Sequence, residues 1–221
     1  YERRPTIDWN EREREFHRSM KAHKTHPAYD CVVASSGGKD SHAIALKVRE
    51  LGYRPLLVTA TTDIPTDIGR RNLVNLKEQG FDMVEFTPNP VVRRKLMRIA
   101  LEEVGDIEWP EHAAIFSTPV RVAKEMGIGI VLYGENPQDD LSGGPQGAIV
   151  LDKRWREEYG GLLGLRPADL IGREGITAQD MWAYEWPGDD TGVRALFLGQ
   201  FFEWDGMVNA EIARAHGLTG I

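Results

Sequence analysis

At 221 residues the chain has room for one sizeable core, and 41% hydrophobic with 28% charged residues is the balance of a globular protein, which excludes a disordered or fibrous class. The formal net charge of −7 argues against a nucleic-acid partner, because a phosphate backbone is repelled except where Arg70/Arg71 or Arg93/Arg94/Lys95 cluster, and solvated helix faces explain those clusters as well. A single cysteine excludes an internal disulfide framework, and no apolar run approaches the roughly 20 residues needed to cross a bilayer, so a reducing, cytoplasmic setting without a membrane span is expected. The first residue is Tyr1 rather than Met, from which a trimmed or unrepresented N-terminus is expected.

Residues 8–23 read as a helix: Asp8 can cap it, and Trp9, Phe16 and Met20 fall near one face. The mixed-sign run from Glu11 to Arg14 is a solvated surface. Tyr29 to Ser35 is β-rich and apolar, the pattern of a strand buried on both faces, with Cys31 in mid-strand and inert. After Ser36-Gly37-Gly38-Lys39-Asp40-Ser41, the residues Ile44, Val48 and Leu51 recur on one helical face that closes near Gly52.

Residues 55–61 form a second buried strand. Residues 66–79 form a helix between an N-capping Thr66 and Gly80, and 82–86 form a third strand. Asn89-Pro90 opens another helix with Val92, Leu96, Ile99 and Ala100 inward. A helix over 117–126 ends at Gly127, and a fourth strand runs over 128–133. Residues 138–147 are rich in Gly, Ser and Pro and read as a mobile loop, either a lid or a plain surface insertion. Residues 151–190 are irregular with short helices, 195–198 is a fifth strand, and a helix over 205–216 follows. This alternation predicts an α/β fold, a doubly wound, mostly parallel five-stranded sheet with helices on both faces. The expected divisions are an N-terminal helix and connector over 1–28, a core over 29–137, a loop and substrate-side insertion over 138–193, and the last strand and helix of the core over 194–221.

The hexapeptide at 36–41 carries the chemistry. A strand, a two-glycine turn and a helix start let backbone N–H groups converge on an anion, to which the helix N-terminus adds partial positive charge. It is not the Walker A pattern, which places Ser or Thr directly after the lysine, whereas here Asp40 follows Lys39. A carboxylate beside phosphates is electrostatically sensible when a cation such as Mg²⁺ bridges them. Ser36, Gly37, Gly38 and Ser41 are therefore expected to hold the β- and γ-phosphates of ATP, Lys39 to counter charge, and Asp40 to ligate Mg²⁺. In parallel sheets ligands bind at the carboxyl ends of strands, so Thr59 and Ala60 are expected to face adenine and Gly134 to let the ribose or α-phosphate approach. Glu135 is read as binding metal or positioning ammonia, the alternative being a loop cap. Trp204 and Asp205 read as a packed aromatic and a helix cap, and the six histidines show no metal-ligand spacing.

The hexapeptide resembles the PP-loop of the N-type ATP pyrophosphatases, which split ATP into AMP and pyrophosphate and have an adenine nucleotide alpha hydrolase-like fold. Further segments resemble the N-acetyl sugar amidotransferases of bacterial surface-polysaccharide synthesis. They are Ile7-Asp8-Trp9, Tyr29-Asp30-Cys31, Pro55-Leu56-Leu57-Val58-Thr59, Lys95-Leu96-Met97-Arg98, Tyr133-Gly134-Glu135-Asn136, Glu158-Tyr159-Gly160-Gly161 and Phe202-Glu203-Trp204. The resemblance implies an ATP- and Mg²⁺-dependent enzyme that replaces the acetamido oxygen of a nucleotide-linked sugar with nitrogen, forming a C–N bond. It implies an ammonia-supplying glutaminase and a channelling subunit as partners, and leaves a homo-oligomer open. Under it, Lys39, Asp40 and Glu135 are catalytic, and Glu135, Asn136, Glu158 and Tyr159 face the sugar, with a tight turn at Gly160-Gly161 as the structural alternative for the last pair. A PP-loop enzyme modifying tRNA or another small-molecule amide or carboxylate, or a catalytically silent nucleotide-binding subunit, are the other readings.

Overall fold

The computed structural model describes residues 7–61, 65–134 and 150–220. Its sheet contains β1 (Cys31–Ala34), β2 (Pro55–Ala60), β3 (Met83–Phe86), β4 (Ile130–Tyr133) and β5 (Arg194–Phe197), all parallel in the order β3-β2-β1-β4-β5. Its helices are α1 (Trp9–Ala22), α2 (Lys39–Glu50), α3 (Asp67–Glu78), α4 (Pro90–Val104), α5 (Trp109–Met126), α6 (Lys153–Tyr159) and α7 (Gly206–Ala215). The inner strands β1, β2 and β4 are buried on both faces, whereas the edge strand β3 stays partly exposed. Cys31, Val33, Leu57, Ile130, Leu132 and Leu196 point into one core with Phe16, Ile44, Val48 and Leu76. Val32, Leu56, Val58, Val131, Tyr133 and Phe197 alternate into a second core with Phe116, Val120, Ala123 and Trp155. A third cluster joins α4 and the start of α5 to residues 162–184.

The chain is thus the doubly wound α/β fold that its alternation predicts. From β1 it winds outward through α2, β2 and α3 to β3, then returns through α4 and α5 to β4 on the other side of β1. The direction of winding reverses between β1 and β4, and a crevice opens at the carboxyl ends of such a pair.

Local signals set most boundaries. Asp8 caps α1 by accepting from Glu11 N at 3.1 Å, Thr66 caps α3 by accepting from Gly69 N at 3.0 Å, and Asp205 caps α7 by accepting from Met207 N at 2.7 Å. Several boundaries differ from expectation, among them β1, which is Cys31–Ala34 rather than 29–35. Helix α5 begins at Trp109, well before Ser117, because Trp109, Ala113, Phe116, Val120 and Ala123 form one buried stripe that offsets the hydrogen bond Pro119 cannot donate. Trp109 Nε1 anchors that start by donating to Leu162 O at 3.2 Å and Leu165 O at 3.1 Å. Strand β4 begins at Ile130 rather than 128, since at Gly129 the chain passes so close to His23 that a Cβ would stand 2.4 Å from its carbonyl oxygen. Strand β5 is Arg194–Phe197, and Leu198 already belongs to a 3-10 turn.

Candidate nucleotide-binding site

Past β1, the Ser35 N–H still donates to Val58 O at 2.9 Å, so the sheet carries the chain directly into the loop. Gly37 then takes φ +81°, the left-handed region that glycine enters without a side-chain penalty, and turns the backbone into α2. Gly38 is the N-cap and provides no side-chain acceptor, which leaves the first N–H groups of α2 without a side-chain cap. The two serines close the loop on itself. Ser41 Oγ accepts from Ser36 N at 2.7 Å and lies 3.1 Å from Ser36 Oγ. Of the two hydroxyl protons one is shared between the oxygens, so one is left to offer a ligand.

Lys39 Nζ lies 2.6 Å from Asp40 Oδ2, and Asp40 Oδ1 accepts from Asn209 Nδ2 of α7 at 3.0 Å. His42, fully buried in the first turn of α2, ties down the loop from behind. Its Nδ1–H donates to Gly38 O at 3.0 Å, and its Nε2 accepts from Asn75 Nδ2 at 3.1 Å. That tautomer follows from the bonds, since Asn75 Nδ2 also donates to His216 O at 2.8 Å and so cannot present an acceptor. Burial pushes the His42 pKa below its ordinary value, against the pull of the Gly38 carbonyl, and the nearby His216 adds to the depression. Cys31 is buried and its thiol is pushed far up by desolvation, so it takes no part.

A cavity of about 1010 Å³ lies over this loop and the ends of β1, β2 and β4. Ser36, Gly38, Lys39, Asp40, Ser41, Thr59, Ala60 and Gly134 line it together, as do Arg70 and Leu73 of α3 and an apolar wall of Ile115, Phe116 and Pro119. Gly37 shapes the turn from outside the lining; a Cβ there would meet Leu73 Cδ2 at 2.9 Å. Gly134 permits close packing, since its Cβ would stand 3.3 Å from the Trp204 ring and 3.5 Å from Asp40 O. Trp204 packs against the core and Asp205 is the helix cap. Behind the far end, buried Arg93 donates to Thr61 O at 3.1 Å and pairs with Glu111.

Other expected residues lie elsewhere. Glu158 and Tyr159 do not line the cavity: Glu158 accepts from Arg154 at 2.8 Å on the surface of α6, and Tyr159 packs beside Trp155. After α6 the chain bends at Gly160 and Gly161, the latter at φ +75°. Glu135, Asn136 and the 138–147 loop lie outside the described residues.

Among the described residues no group of three or more His, Cys, Asp or Glu side chains is arranged to hold a metal. Nucleotide-borne Mg²⁺ needs less, one or two carboxylates with phosphate oxygens and water completing the shell. The Asp40 carboxylate, at the start of α2 and with one of its two partners a half-exposed lysine, fits that use.

Sequence reasoning missed His42, Asn75 and Asn209. Their roles arise from contacts between segments far apart in the chain, and a lone His or Asn in a helix carries no local signal for them. No protein-family profile matches the chain, and no curated protein does. Among solved structures it is similar to a predicted subunit of tRNA methyltransferase from Methanocaldococcus jannaschii, with 23% identity and a TM-score of 0.37. The match covers 49% of this chain and 54% of that one, about half of each, and at this overlap it bears on neither substrate nor chemistry.

Proposed function

We propose that the chain is an ATP pyrophosphatase-type amidotransferase that activates the acetamido group of a nucleotide-linked sugar and replaces its oxygen with ammonia-derived nitrogen. The observation that carries the reading is the Ser36–Ser41 loop, with its left-handed glycine and uncapped helix start, at the point where the winding reverses between β1 and β4. The sugar as acceptor rests on the sequence resemblance alone.

An amide oxygen is a poor leaving group and must be activated. In this reading it attacks the α-phosphorus of ATP, pyrophosphate departs, ammonia adds at the imidate carbon, and AMP leaves. The N–H groups at the start of α2, the free hydroxyl proton of the Ser36–Ser41 pair and Lys39 take up the negative charge of the departing pyrophosphate. Ile115, Phe116 and Pro119, which line the cavity together with Thr59 and Ala60, offer an apolar surface that suits a purine ring. Mg²⁺, held by Asp40 and the phosphates, would neutralise charge on the leaving group. A glutaminase with a channelling subunit supplies the ammonia, and the lone buried thiol supports a cytoplasmic setting. No described helix is long and apolar enough to cross a membrane.

Phosphorus NMR of the protein with ATP, Mg²⁺, ammonium and a panel of UDP-N-acetyl sugars tests the reading. AMP and pyrophosphate should appear only with ammonium and one class of sugar. ADP and phosphate as the main products would refute it.

A further inference from the structure

A carboxylate that is to hold a metal must present one oxygen to it, and what grips its other oxygen sets that direction. Asp40 has both oxygens engaged, and its two partners differ in kind. Lys39 is the adjacent residue, its side chain 38% exposed on a flexible stem, and an exposed pair of this sort contributes little and separates readily. Asn209 is 8% exposed and sits one turn into α7, a helix packed along α2 and started by its own Asp205 cap. Its amide orientation follows from its partner, since only the NH₂ group can bond a carboxylate. Gly206 brings the first turn of α7 beside the pair, and a Cβ there would stand 3.4 Å from Lys39 Nζ.

We propose that Asn209 is a positioning residue for Asp40. When a polyphosphate draws Lys39 away, Asn209 keeps Oδ1, and Oδ2 is the oxygen left for Mg²⁺. The inference rests on the reading of Asp40 as a Mg²⁺ ligand and extends the site to a helix at the far end of the sequence.

Calorimetric titration of ATP at graded Mg²⁺ concentrations, with Asn209→Ala, Asn209→Leu and Asp40→Asn, decides it. Both Asn209 variants should raise the Mg²⁺ concentration for half-maximal tightening by about 10–100-fold and leave metal-free ATP affinity within about twofold of wild type. Adding Asn209→Ala to Asp40→Asn should change nothing further. The leucine variant keeps side-chain volume in the α2–α7 seam and carries the test if the alanine variant does not fold. Unmoved Mg²⁺ dependence, or an equal loss with and without Mg²⁺, overturns the Asn209 role alone. A wild-type protein whose ATP affinity ignores Mg²⁺, or that binds no ATP, overturns the reading of Asp40 and this inference with it.

Discussion

His42 stands out at the residue scale because both of its ring nitrogens are committed while the ring is buried. Protonation would put an N–H against the NH₂ of Asn75, which cannot turn without also losing its bond to His216 O. The folded-state pKa lies below the ordinary 6.5, so the unfolded chain takes up the proton first. The stability contributed by neutral His42 is therefore complete above about pH 6.5 and is lost as the pH falls from there toward the depressed value, by at most about 1.4 kcal/mol per pH unit. Asp30 acts in a separate window. Burial raises its pKa, but Lys24 at 2.7 Å and the Arg54 N–H at 2.8 Å outweigh that and hold it below 3.8, so its contribution is lost only in stronger acid. Urea unfolding at pH 7.5 and pH 5.5 should show a loss of stability that His42→Gln largely removes. An unchanged slope in that variant would mean that the loss arises elsewhere.

At the scale of elements, the strand–turn–helix around residues 31–50 depends on the backbone of Gly37. Replacement by Ala meets the left-handed φ, at about 1–2 kcal/mol, while the contact with Leu73 Cδ2 can relax because that group is the end of a side chain. Gly37→Ala should fold with a modest loss in urea midpoint yet lose most ATP affinity by calorimetry, since the turn aims the N–H groups of α2. This loop was legible in the sequence for the same reason it is sensitive: its geometry is built from six adjacent residues. The strand order was legible as a class, through apolar runs alternating with amphipathic helices. The start of α5 was not, because Pro110 and Pro119 punctuate the local pattern and the first part of the buried stripe, Trp109 to Ala114, is completed by Leu162, Leu165 and Leu170 from a later segment. Glu158 and Tyr159 were placed by resemblance, and no residue of α6 lines the described cavity.

For the whole molecule, α1 closes one core from outside the winding of the sheet. Phe16 is fully buried and its ring meets Tyr53, Phe201 and Phe202 at centroid distances of 5.7, 5.7 and 5.3 Å, joining the first helix to the loop after β5. Phe16→Ala should lower unfolding free energy by about 3–5 kcal/mol, read by urea titration.

The contact between Asp40 and Asn209 spans 169 positions of sequence, so on the proposed reading a nucleotide bound at Asp40 would be coupled to a helix far along the chain. Its binding free energy, about 2.7 kcal/mol at a hundred times the Kd, is withheld from any partly open state in which α7 has lifted from α2. Amide exchange in α7 should then slow when ATP and Mg²⁺ are added, and more than in α1, which lies away from the cavity. On the proposed reading, occupancy of the cavity and the closeness of the α2–α7 seam would be thermodynamically linked, so the ligand-free protein would be the form whose C-terminal helix lifts most easily.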